Sequence, residues 1–145
     1  MPIEITWLVE GRVLYDRITE SPSLDEFRAG GRRLGELMTR DDEPLVHILL
    51  DISAMKRMPS QIGAMSEASR PFMSHPNAGW IIAFGSSDRM VNLIGTIVSQ
   101  IFRSRFRFFH SLDEALTFLQ EQDSSLLPLD PLRPAVADDE STPIP

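Results

Sequence analysis

The stretch PLVHILLDI, residues 44–52, is almost unbroken apolar sequence. A strand of that composition has no polar face to give to water, so it belongs inside a sheet that other elements cover. The segments around it alternate in period. EITWLVEGRVLYDRI reads as two strands joined by a tight turn at Glu10 and Gly11, with Gly11 supplying a positive φ. SPSLDEFRAGGRRLGELMTR places Leu24, Phe27, Leu34, Leu37 and Met38 along one side of a helix. A second helix starts near Pro59 or Ser60 and ends before His75 and Pro76. GWIIAFG is then a strand, DRMVNLIGTIVSQIFRS a helix, RFRFF a strand and SLDEALTFLQEQ a helix. The order ββαβαβαβα predicts an α/β domain, one mixed sheet of about five strands with about four helices packed against it.

At 145 residues the chain is one domain long. It has no cysteine, which excludes disulfides, thiolate metal sites and cysteine nucleophiles. The net charge is −7, of which −5 lies beyond Gln120. That balance argues against a nucleic-acid binder, whose affinity comes from neutralising phosphates. The end of the chain is also rich in proline, so the expected organisation is a domain over residues 1–122 and a flexible acidic tail over 123–145. The N-terminus lacks the basic head and apolar middle of a signal peptide, and no apolar run reaches membrane-spanning length. A cytoplasmic location is therefore expected.

SLDE occurs at 23–26 and again at 111–114. Each copy opens a helical period, so each reads as a capping box rather than a pair of catalytic acids. His47, His75 and His110 have no second ligand at helical spacing, so neither a metal site nor a cofactor is expected. There is no nucleophile elbow and no Gly-rich phosphate loop, and the chain reads as non-catalytic.

In open α/β sheets ligands gather beyond the carboxyl ends of the strands. Asp51 and Ser53 at the end of the third strand, Ser60 at the start of the second helix, and Gly85, Ser86 and Ser87 after the fourth strand would share that edge as a polar rim. The element order, with LLDIS followed by a serine at a helix start, resembles the STAS domains, the anti-sigma-factor antagonists and their SpoIIAA-like relatives. FFHSLDEALTFL is similar to their closing strand and helix. In that pattern an aspartate ends the third strand, and Asp-Ser-x-Gly opens a helix whose serine a partner kinase phosphorylates. The resemblance implies that Asp51 matches the strand-end aspartate and Ser60 the serine. Pro59 stands in place of the second aspartate and Ile62 in place of the glycine. Ser60 is then a helix cap by its own chemistry, or a phosphorylation and partner-switch site by resemblance.

The third helix is apolar over about half its circumference, through Met90, Val91, Ile94, Ile97, Val98, Ile101 and Phe102. A stripe that wide can cover the sheet and something further: another helix, a second subunit in a homodimer, or a lipid or other apolar ligand. FRSRFRFF reads as an edge strand with Arg105 and Arg107 in water. Trp7, Tyr15 and His47 are expected to share the sheet face away from the helices. The leading functional expectation is a homodimeric regulatory or protein-interaction module, with a kinase or regulatory factor as a further candidate partner. The alternatives are an apolar-ligand carrier and a small enzyme using the rim.

Overall fold

The computed structural model describes residues 2–39 and 45–126. The chain forms β1 (Ile3–Val9), β2 (Val13–Glu20), α1 (Leu24–Met38), β3 (Val46–Met55), α2 (Ile62–Met73), β4 (Ala78–Phe84), α3 (Arg89–Ile101), β5 (Arg105–Phe109) and α4 (Leu112–Gln122). The strands make one sheet in the order β1-β2-β3-β4-β5, with β1 antiparallel to β2 and every other pair parallel. This is the mixed α/β architecture that the alternating periods predict.

The strand order decides where the helices go. β2 to β5 lie side by side in chain order, so the right-handed crossover rule sends each connecting helix over the same face. α1, α2 and α3 share that layer, and Leu34, Met38, Phe72, Ile94 and Val98 pack there with Leu14, Ile48 and Ile81 of the sheet. α4 follows the last strand and is not a crossover. It covers the opposite face, where Leu116 and Leu119 meet Val13, Tyr15, Leu49 and Ile82. The middle strand β3 is therefore covered on both sides, which accounts for its apolar run.

Local chemistry sets the ends of the elements. Gly11 turns the β1–β2 hairpin with φ 74°. Ser23 and Glu26 form a complete capping box on α1. The second SLDE is shifted by one residue: Ser111 accepts from the Glu114 N–H, but the Glu114 carboxylate accepts from His110 N–H. β5 lies at the sheet edge with Arg105 and Arg107 exposed, and Arg107 stacks over Phe109 and Phe118.

Three expectations are corrected. β3 does not end at Asp51; it runs on to Met55, pairing Ala54 and Met55 with Thr19 and Glu20. α2 starts at Ile62, and its N-cap is Gln61, with no side-chain cap bond. Ser60 lies one residue before that N-cap, exposed, and its hydroxyl makes no hydrogen bond among the described residues. It is therefore not a cap. Ser60→Ala is expected to change unfolding free energy by no more than about 0.5 kcal/mol in urea titrations, against about 1 for a lost cap. Trp7, lastly, pairs with Leu14 and packs into the layer under α1–α3, whereas Tyr15 packs under α4. Tyr15 sits opposite Thr6 in the hairpin, so Trp7 and Tyr15 face opposite ways.

The chain leaves α4 under restraint. Asp123 accepts from Arg12 at 2.7 Å and from His47 Nε2 at 3.0 Å, and Leu126 is buried against the α4 face. His47 Nδ1 accepts from the Trp80 backbone N–H, which leaves Nε2 carrying the proton it donates. Burial holds the His47 pKa below its ordinary value, against the opposing pull of Asp123. The remainder of the expected tail, 127–145, lies outside the described residues.

Candidate functional site

A cavity of about 100 Å³ lies between the sheet and α1, α2 and α3. Its walls are almost wholly apolar, with Phe27, Phe72, Ile94 and Val98 from the helices and Phe106 and Phe108 from β5. Glycines and methionines make up much of its wall. Gly30, Gly31 and Gly95 bring no side chain to it, and Met55, Met58, Met65 and Met73 line it with the most adaptable of the apolar side chains. Left empty, such a volume costs about 2 kcal/mol, at about 24 cal/mol per Å³ of cavity. Interiors are normally packed to crystal density, so a void of this size is a local departure from what stability favours.

One carboxyl group lines this apolar space. Asp16 falls in phase with Leu14 and Ile18 on β2, so strand alternation turns it toward the covered face. It is 4 % exposed, and its Oδ1 has no hydrogen-bond partner among the described residues. Burial, reinforced by the negative charge of Asp51, raises its pKa from 3.8 to about 7. Ser69 of α2 also lines the cavity, and its hydroxyl makes no hydrogen bond among the described residues. No lysine, arginine or histidine stands among the described residues around it. Asp16 is absent from the residues singled out from sequence. The signal was present in VLYDRI, where an acid takes a position that alternation assigns to the core.

The expected polar rim is brought together only in part. Asp51 is 5 % exposed and its carboxylate is engaged: it accepts from Tyr15 Oη at 2.5 Å, from Ser53 N–H at 3.0 Å and from Ser53 Oγ at 2.6 Å. Tyr15→Phe removes one of these bonds from a buried carboxylate and is expected to cost about 2 kcal/mol of stability in urea titrations. Gly85, at φ 101°, sits against Ser53, where a Cβ would come within 2.6 Å of the serine side chain. Ser86 Oγ accepts from Asp88 N–H, Ser87 is exposed, and Asp88 caps α3. No hydrogen bond among the described residues joins Ser60 to this group. In chain-order strand arrangement there is no reversal of strand order, and so no crevice of the kind that gathers ligands at a rim.

The wide stripe of α3 divides. Val91, Ile94 and Val98 point inward and line the cavity, and Ile97 and Phe102 are half-buried. Met90 and Ile101 face outward at 56 % and 54 % exposure, beside Leu93 at 51 %. Among the described residues no acidic or histidine cluster could hold a metal ion, and no helix is long and apolar enough to cross a membrane.

No family model and no curated protein matches the chain. Among solved structures it is similar to an uncharacterised protein of the DUF3478 family with a SpoIIAA-like fold from Shewanella loihica PV-4. The two superpose with a TM-score of 0.57 at 14 % identity, over 81 % of this chain and 91 % of that one. The fold is SpoIIAA-like, as the resemblance to STAS domains implies.

Proposed function

We propose that this SpoIIAA-like domain is a non-catalytic module that holds a small apolar molecule between its sheet and α1, α2 and α3. The carrying observation is the apolar cavity with the Asp16 carboxyl on its wall, its Oδ1 without a partner among the described residues. Binding sites are mostly apolar concavities with a few placed polar groups, and this one follows that plan. The inward half of the α3 stripe, Val91, Ile94 and Val98, supplies part of the wall. The enzyme reading has less support, because Asp51, the one buried acid of the rim, is held by three hydrogen bonds to Tyr15 and Ser53.

A second reading, a regulatory module that switches protein partners or forms a homodimer, is favoured by the exposed, unbonded hydroxyl of Ser60 and by the outward Met90, Leu93 and Ile101. Native mass spectrometry of the protein taken from cells separates the two. A small neutral adduct on a single chain supports the carrier. A two-chain mass, or a phosphate mapped to Ser60, with no retained molecule, supports the regulatory module instead.

A further inference from the structure

The cavity states more than that its guest is apolar. Asp16 Oδ1 is buried without a hydrogen-bond partner among the described residues. A buried polar atom of this kind is normally satisfied by protein or by a bound molecule. The Ser69 hydroxyl is a second group on the same wall with no hydrogen bond among the described residues. Neither group is opposed by a cation among the described residues, since no lysine, arginine or histidine among them lines the space. A carboxylate or phosphate head group brought there would meet Asp16, with Asp51 close enough to act on it, and no compensating charge.

We propose that the guest is an uncharged apolar molecule bearing a hydroxyl group, which hydrogen-bonds to Asp16 while its hydrocarbon part fills the space beneath α2 and α3. This rests on the apolar-carrier reading and deepens it by assigning the head group. A hydroxyl suits the site for two reasons. It both donates and accepts, so it pairs with Asp16 whichever protonation state the carboxyl holds. It is also uncharged, so its burial needs one good hydrogen bond and no counter-ion. The volume, about 100 Å³, is of the order of the ~150 Å³ cavity that accommodates benzene, so single-ring probes are the right size.

The test is a titration of the full chain with toluene, phenol and benzoate at equal ring size. It is followed by NMR of the methionine methyls, with carbon-13 detection of the side-chain carboxyls. The methyls of Met55, Met58, Met65 and Met73 report on the cavity, and exposed Met90 serves as the outside control. Phenol is expected to shift the four cavity methyls saturably and to move the Asp16 carboxyl signal, with benzoate at least tenfold weaker. Toluene is expected to shift the methyls without moving the carboxyl. In Asp16→Leu the ratio of phenol to toluene affinity is expected to fall about tenfold, the equivalent of one hydrogen bond. The carboxyl signal in the unaltered chain gives the answer even where that variant fails to fold. Toluene and phenol binding with the Asp16 signal unmoved by either, or benzoate binding as tightly as phenol, overturns the head-group assignment and leaves the carrier reading standing. No saturable shift with either toluene or phenol overturns both.

Discussion

Asp16→Asn is expected to raise the stability of the folded chain at pH 8 by roughly 4 kcal/mol while leaving it almost unchanged near pH 3. The gain arises from a carboxyl whose pKa rises from 3.8 to about 7 on folding, at about 1.4 kcal/mol per unit. Below pH 3.8 both states hold the proton and the charge term vanishes. Between 3.8 and about 7 the unfolded chain gives up a proton that the native chain keeps, so native stability falls as pH rises. Above about 7 the buried charge is carried in full and the loss levels off. Asn has nearly the same shape and never ionises, so the variant escapes this loss. His47 and Asp123 titrate in both proteins, and subtracting the two urea-midpoint profiles removes their contribution. A difference that stays flat from pH 3 to pH 8 would mean that Asp16 is hydrated or paired in the native state.

Gly31→Ala is expected to destabilise by about 3 kcal/mol or more, at the upper end of the overpacking range. A Cβ at this position falls onto the Ala68 carbonyl oxygen of α2. That oxygen belongs to the helix backbone and cannot rotate away, so α1 and α2 must separate. Nearby Gly35 makes the same close approach to the Pro71 carbonyl, at 2.8 Å from its own Cβ position. The intrinsic gain from replacing glycine in a helix, at most about 1 kcal/mol, does not offset this. Gly30→Ala is the internal control. Its Cβ would meet only the Ile3 side chain, at 3.3 Å, and that side chain can shift. Thermal melts of the two variants should therefore differ by several degrees, with the 31 variant lower. Equal melting temperatures would remove the glycine contact as the reason for the tight α1–α2 seam.

The architecture was legible because its signals are local. The apolar run at 44–52, the glycine of the hairpin and the serine of the first capping box each act within a few residues, and each appears where the sequence places it. Boundaries were harder to read. β3 extends through Ser53, Ala54 and Met55 because the end of β2 is there to pair with it, and nothing in that stretch of sequence announces a distant partner. The same extension leaves Asp51 inside the strand and moves α2 to Ile62, which removes Ser60 from its expected capping role.

The site was legible in halves. The breadth of the α3 stripe pointed to a surface beyond the sheet, whereas the cavity is lined by its sheet-facing residues Val91, Ile94 and Val98, and Met90, Leu93 and Ile101 stay exposed. The rest depends on how three separate helices meet. A Cβ at Gly31 would meet the Ala68 carbonyl and one at Gly95 the Phe108 ring, close approaches that only the assembled neighbours set. Asp16 could have been flagged by strand phase alone, yet its lack of a partner is a property of the assembled core. The rim serines were expected to face a ligand, but the hydroxyls of Ser53 and Ser86 are engaged by their own chain at the carboxyl ends of the strands.

The most direct check on an accessible apolar chamber in the native protein is diffraction from crystals held under xenon pressure. Xenon density beneath α1, α2 and α3, within van der Waals reach of Ile94 and Val98, is the expected result. A core with side chains closed over that space and no xenon in it would contradict the binding site at its root.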